Sequence, residues 1–385
     1  MHSPVGGSVA DIFVKCDAFV YMNSGLPPEE PTQDSRDGTA SHEIGADIIK
    51  RAAVGISASW SDYAGKCAKD GTEFTDEMYE CAKIYADDVI NVMRSTGILG
   101  GESFRVEQLV TTPRVHPTAF STPDMSIFHR LGSKLYLWDY KFGYSFVDAF
   151  ENWQGVHGFA GLLSLYDING LADQSLDLEF RIVQPRSYRK KGIIRKWNLK
   201  ASDLRGYINQ LSAAAYRQFE PNPTAKSGPH CVNCSARLVC PTALTAGMKL
   251  YEVAAKATPH EMTPMAIGLQ LSILRRALKH LEKLESSYSE QVSTLIRRGN
   301  LVPGWTTEPK LGRDTWACGA ENAIAIGKLY NVDIAKKGVL TPRQAIQAGL
   351  DEEIVKPLIE VPKRGVSVVQ STDHDVRRTF MNPNQ

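Results

Sequence analysis

Four residues within 120–154 carry the densest chemistry in the chain: Asp124, Asp139, Lys141 and Gln154. On their aromatic and β-branched content, residues 124–128 and 135–141 read as two strands joined by a glycine turn between His129 and Lys134. A side-chain period of two puts Asp139 and Lys141 on one face of the second strand, with Trp138 and Tyr140 on the other. Asp124 reaches the same point if the hairpin register brings it opposite. Two carboxylates beside an ammonium at a strand end suit a divalent cation with a lysine at its flank. The same triplet also occurs as the solvated edge of a half-exposed strand, and the hairpin alone does not separate the two.

Two more stretches have chemical character. Cys231, Cys234 and Cys240 lie in a short turn-rich segment ending in Cys-Pro, a layout for thiolate ligation of a soft metal. Zinc would take the three with His230 or another residue, whereas an iron–sulfur cluster would need a fourth cysteine from elsewhere. Cys67 and Cys81 have no near cysteine and read as core or surface thiols. After Pro185, the residues Tyr188, Arg189, Lys190, Lys191, Arg195 and Lys196 form a basic stretch with interleaved rings. Its functional use would be phosphate contact with base stacking, and its bland use a solvated hairpin.

The elements that must position these groups follow from periodicity. Residues 38–50 read as a helix capped by Thr39 and bearing His42, which by itself is either a packed side chain or a ligand. Residues 76–94 form a clearer amphipathic helix. A strand is expected at 102–112, and a helix from 149 to 166 places Gln154 directly after the acid-bearing strand. Another strand at 176–184 and a helix at 202–219 complete an α/β core of three to five strands, partly antiparallel. Residues 1–37 read as loosely structured apart from a short element at 8–21 that contains Cys16. Beyond Pro241, a long helix at 265–298 repeats apolar residues at alternating spacings of four and three, which suits a coiled-coil arm for self-association or a recombination partner, one helix of a bundle, or a long docking helix. Residues 299–385 read as a small C-terminal domain, with a helix at 321–330 and another starting at Thr341-Pro342. The expected division is therefore 1–245, 246–298 and 299–385.

Composition narrows the classes. The 385 residues include 44 basic and 43 acidic side chains, a formal net charge of +1, so any phosphate-backbone contact must come from a local patch. No apolar run approaches the length of a membrane span, and residues 1–16 lack the layout of a signal peptide, which points to the cytoplasm. Seven cysteines, an odd number, do not suggest a disulfide framework.

Taken in order, Asp124, Asp139-x-Lys141 and Gln154 on the next helix resemble the core motif of the PD-(D/E)XK nuclease superfamily. Within it the likeness is to RecB-type domains, whose histidine-bearing N-terminal helix is matched by residues 38–43, GTASHE. Asn152-x-Gln154 and the C-terminal segment 340–345 further resemble a phage and prophage family of predicted RecB-like nucleases. The resemblance implies a central mixed sheet of the restriction-endonuclease-like type, flanked by helices and followed by a helical C-terminal extension. It also implies a metal-dependent deoxyribonuclease, an exonuclease, serving phage DNA recombination, replication or repair in the host cytoplasm. Asp124, Asp139, Lys141 and Gln154 would then be catalytic. His42, Asp124, Asp139 and the Tyr140 carbonyl would hold Mg²⁺ or Mn²⁺, with Cys16, Cys231, Cys234 and Cys240 on a 4Fe-4S cluster or, alternatively, zinc. DNA is the implied partner, and the rival is a catalytically silent nuclease-like accessory protein. Two positions depart from the pattern. Asp139 replaces the commoner Glu, and Gly158 stands where an aromatic is usual, the ring arriving at Phe159.

Overall fold

The computed structural model describes residues 3–27, 31–166, 175–187, 192–255 and 262–298, together with Asn300, Val302 and Trp305. Two short helices open it, α1 (Ala10–Phe13) and α2 (Phe19–Asn23). Two long ones follow, α3 (Gln33–Ala53) and α4 (Asp76–Thr96), each started by a threonine cap. Thr32 accepts from the Ser35 N–H, and Thr75 from the Met78 N–H. The helix bearing His42 thus begins a turn and a half earlier than residue 38, with Thr39 inside it.

The sheet is laid down next: β1 (Phe104–Val106), β2 (Val110–Thr111), β3 (Phe120–Ser121), β4 (Met125–His129) and β5 (Lys134–Tyr140). Helix α5 (Trp153–Leu165) crosses over to β6 (Asp177–Val183), which turns back into β7 (Ile194–Lys200). Helices α6 (Leu204–Arg217), α7 (Pro241–Ala255) and α8 (Pro264–Arg297) complete the described chain. The main sheet runs β1-β4-β5-β6-β7, with β2 and β3 as a separate antiparallel pair. Among the described strands only β5 and β6 pair in parallel, and they are the two that a helix must connect. The expected strand at 102–112 is thus split between two sheets. Arg195 and Lys196 of the basic stretch lie on β7.

Side-chain alternation then assigns the two faces. Leu135 and Leu137 of β5, with Leu178, Phe180 and Ile182 of β6, point into one core with α1, α5 and α6. Trp138 and Tyr140, with Met125 and Ile127 of β4, point into the other with α3 and α4. Helices on both faces bury both, so the architecture is α/β with a mixed five-stranded sheet, as expected.

Helix α5 lies close on the sheet because glycines face it. A Cβ at Gly155 would stand 2.8 Å from the Phe180 ring, and one at Gly158 2.8 Å from Leu137. An aromatic at 158 has no room, while Phe159 is fully buried against Phe180. The departure at this position is therefore a packing feature.

The short element expected at 8–21 is α1 and α2, with Ala10 and Phe13 fully buried in the α5 core, but the segment before it is not loose, since Val5 is fully buried there too. The chain divides into two units, 1–288 and 289–385, so α7 and most of α8 belong with the core. The expected helices at 321–330 and from Thr341 lie outside the described residues. No described helix is long and apolar enough to cross a membrane.

Candidate metal centre

The site forms where three strands end in one row. Carrying the β4–β5 register one step past Met125↔Trp138 sets Asp124 against Asp139. Carrying the β1–β4 register past Val106↔Met125 sets Glu107 against Asp124, and the Glu107 N–H donates to the Asp124 carbonyl at 3.1 Å. Glu107, Asp124 and Asp139 thus lie side by side across β1, β4 and β5. Glu107 adopts φ 49°, a left-handed conformation rare outside glycine and asparagine, as the chain leaves β1.

Helix α3 brings His42 over this row. Its Nδ1 lies 3.5 Å from Glu107 Oε1 and 3.6 Å from Asp124 Oδ1. The donor atoms of His42, Glu107 and Asp124 all fall within 4.8 Å of one another. Tyr140 anchors the arrangement. Its N–H donates to Asp124 Oδ2 at 2.6 Å, its ring stacks on Tyr85, and its hydroxyl pairs with Ser41 one residue before His42.

Asp139 belongs to the opposite face of β5 from Tyr140, so it meets α5. The Gln154 amide donates to Asp139 Oδ1 at 2.7 Å, and Lys141 Nζ reaches the same oxygen at 3.0 Å and Gln154 Oε1 at 3.2 Å. Gln154 is held in turn by the helix start, where Asn152 accepts from the Gln154 and Gly155 N–H groups. The other carboxylate oxygen, Asp139 Oδ2, is buried with no hydrogen-bond partner. Asp124, Asp139 and Gln154 line a cavity of about 230 Å³, while His42 and Glu107 open onto a larger groove on the α3 side.

The electrostatics are those of crowded acids. Burial, with repulsion from Asp124, pushes Asp139 up to about 6 against the pull of Lys141. Burial and then Glu107 raise Asp124, opposed by His42 and Lys141. Burial would lower His42, but Asp124 and Glu107 outweigh it and lift the imidazole to about 9. Lys141 is likewise held above the ordinary lysine range: burial works against it, and Asp139 and Asp124 prevail. It is therefore an ammonium and a donor, not a base. An orphaned buried carboxylate oxygen beside a three-donor group of oxygen and imidazole nitrogen fits a divalent cation, with the nitrogen favouring Mn²⁺.

A model of the family described as "Protein of unknown function (DUF2800)" matches residues 2–375. The chain belongs to the DUF2800 family. No curated protein sequence matches it. Membership covers the acid row, the cysteine segment and α8 together, and its description assigns no activity to any of them.

Sequence reasoning missed Glu107. It lies inside the expected strand at 102–112, but its place in the row depends on the pairing of β1 with β4, which no local pattern reveals. The four cysteines do meet at one small cavity, lined by Cys16, Cys231, Cys234 and Cys240. Polar hydrogens reach their sulfurs: the Lys226 N–H donates to Cys16, the Gly228 N–H to Cys231 and the Asn23 amide to Cys234. Burial first, then the neighbouring thiols, raise Cys231 and Cys234. Among the described residues no three of the sulfurs lie within 4.8 Å of one another, as the ligand atoms of His42, Glu107 and Asp124 do. Gln218, just past the end of α6, secures the turn at Cys16 by donating to the Phe13 and Cys16 carbonyls and accepting from the Val20 N–H.

The basic stretch fares differently. Tyr188, Arg189, Lys190 and Lys191 lie outside the described residues. Arg195 is not a surface cation: it is 2 % exposed and donates to the Val147 and Gly192 carbonyls and to Gln184 Oε1. It fastens the loop after β5 and is unavailable to a phosphate. Lys196 remains near the surface on β7, 3.7 Å from Glu179.

Proposed function

We propose that this chain is a divalent-metal-dependent deoxyribonuclease that hydrolyses phosphodiester bonds in the cytoplasm. The reading is carried by one observation: three carboxylates in a row with an imidazole above them and a lysine–glutamine pair on the adjoining acid. The likeness to RecB-type PD-(D/E)XK domains supports it, because Asp124, Asp139, Lys141 and Gln154 take adjoining places in one site.

In this reading His42, Glu107, Asp124 and Asp139 Oδ2 hold Mg²⁺ or Mn²⁺, with the Tyr140 carbonyl as the likeness implies. When bound, such a cation lowers the pKa of water and offsets charge on a phosphoryl oxygen. The chain's own groups do the positioning. Lys141, kept as an ammonium between Asp139 and Gln154, donates to the attacking water or to the charge that develops on the phosphate. Gln154 fixes both the Asp139 carboxylate and the Lys141 head, so it is a positioning residue. Cys16, Cys231, Cys234 and Cys240 would hold a 4Fe-4S cluster, as the likeness implies, and such thiolate ligation would tie the N-terminal segment to the α6–α7 connection, with zinc as the alternative occupant. Iron and sulfide analysis of anaerobically purified protein separates the two.

End-labelled linear, nicked and circular DNA incubated with Mg²⁺, Mn²⁺ or chelator tests the activity. Metal-dependent loss of linear DNA with circular DNA spared supports an exonuclease. No cleavage by folded protein under any metal supports the silent accessory protein instead.

A further inference from the structure

Away from the acid row, a second cleft of about 390 Å³ opens between the cysteine segment, α7 and α8. Its rim carries Lys249 from α7 and Arg276 and Lys279 from α8, all exposed, and no carboxylate is among its lining residues. Three cations without a lining acid make a field for an anion, and a planar guanidinium suits a phosphate in bidentate fashion. The floor has another character. Val232, Ala246 and Ile273 supply apolar surface between the charged heads.

One polar atom points to the ligand's remaining chemistry. His280 lines the cleft, is 8 % exposed, and its Nε2 is buried with no hydrogen-bond partner. The ring is otherwise held by the Ala243 backbone. Gly247 of α7 passes close by, where a Cβ would lie 3.4 Å from the ring, and it offers that edge no side chain to bond with. Buried polar atoms in native proteins are nearly always satisfied, and an orphan at the base of an open cleft marks a place for a ligand's polar group.

We propose that this cleft binds a nucleotide unit, its phosphate held by Arg276, Lys279 and Lys249, its base on the Val232–Ala246–Ile273 floor, and a polar group of base or sugar at His280. A fatty acid or other simple amphiphile would satisfy the cations and the floor and leave Nε2 orphaned. The volume suits one nucleotide, not a duplex segment. The site shares no residue with the acid row and does not depend on the nuclease reading. A free nucleotide and the phosphorylated end of a DNA strand offer the same chemistry.

Calorimetric titration of the full chain, without divalent metal so that hydrolysis plays no part, tests this. The probes are dAMP, adenosine, inorganic phosphate and a 5′-phosphorylated deoxyadenosine hexamer. The expected result is binding of dAMP or the hexamer at least tenfold tighter than adenosine or phosphate. An R276Q/K279Q variant, changed only at exposed positions, should weaken it at least tenfold, and A246L, which fills the floor, should do the same. Tighter binding of the hexamer assigns the site to a strand end; equal or tighter binding of dAMP assigns it to a free nucleotide. Failure of both to bind, binding unchanged in R276Q/K279Q, or phosphate binding as tightly as dAMP would overturn the proposal.

Discussion

Two clusters of buried charge sit on the same sheet, and they are built to opposite specifications. Where β6 faces α4, Glu179 of the strand and Asp88 of the helix are met by cations at every oxygen the geometry allows. Arg181 donates to both Asp88 oxygens at 2.8–2.9 Å and to Glu179 at 2.7 Å, and Lys134 and Lys196 close on Glu179 from β5 and β7. Trp138 adds its indole N–H to Asp88 at 2.7 Å. Although burial acts to raise Glu179, its cations hold it below the ordinary glutamate range. At the strand ends, Asp139 and Asp124 are pushed up, one carboxylate oxygen has no partner, and a histidine proton is held on by the crowding. The first cluster is finished and serves stability. The second leaves charge unanswered, which is the condition for binding a cation.

The comparison makes its strongest demand on Asp139. Asp139→Asn should cut DNA hydrolysis by about 10³-fold or more while leaving the fold intact. It should also stabilise the protein in chelator. A carboxyl raised in the folded state binds its proton there more tightly than in the unfolded chain, so stability declines as pH rises from about 4 to about 6 and stays lower above. Removing that charge should therefore raise the melting temperature at pH 8, by up to about 3 kcal/mol of stability. Unchanged activity, or a melting temperature lowered as in a core mutant, would erase the distinction between the clusters.

The finished cluster should respond in the other sense. Arg181→Met leaves the buried Glu179 and the half-buried Asp88 without their shared cation and should cost about 3–5 kcal/mol in denaturant unfolding. For Glu179 the sign is reversed: its depressed folded pKa contributes stability above the ordinary glutamate pKa that is lost as pH falls.

His157, on the core side of α5, sharpens the contrast as a buried base kept neutral. Its Nε2 lies 3.1 Å from the Val5 carbonyl, and burial lowers it to about 4. The unfolded chain then takes up a proton that the folded chain refuses between about pH 6.5 and 4. Stability should fall across that window by about 3 kcal/mol, and His157→Gln should flatten the fall. Urea unfolding at four or five pH values measures it.

The smallest expected effect belongs to the residue that only the fold disclosed. Glu107→Gln keeps the side-chain shape and removes one charge from the row. It should weaken Mn²⁺ binding by about tenfold while leaving the melting temperature in chelator the same or slightly higher.

Which residues were legible in the sequence follows from how far apart their partners lie. Asp124, Asp139, Lys141 and Gln154 belong to one hairpin and the helix after it, so strand alternation and a helix start suffice to gather them. The mixed α/β class was legible for the same reason. Glu107 joins them only through the β1–β4 register, a pairing across the intervening residues 107–124 that no propensity encodes. Arg195 was misread because a basic residue on a strand is solvated or buried according to which loop lies over it. Here the loop at 143–147 does. Within the N-terminal segment the element at 8–21 was legible, but Val5 was misread because the glycines and serines around it mimic a loop, yet it fills the space beside α5.

Isothermal titration of Mn²⁺ into metal-free wild-type protein and into Asp124→Asn is the most direct test of the acid row. Asp124 is the residue shared by the His42–Glu107 group and the Tyr140 anchor. One Mn²⁺ bound by the wild type and lost or weakened more than tenfold in the variant is the predicted result. Equal binding by the two proteins, or none by the wild type, would contradict the account.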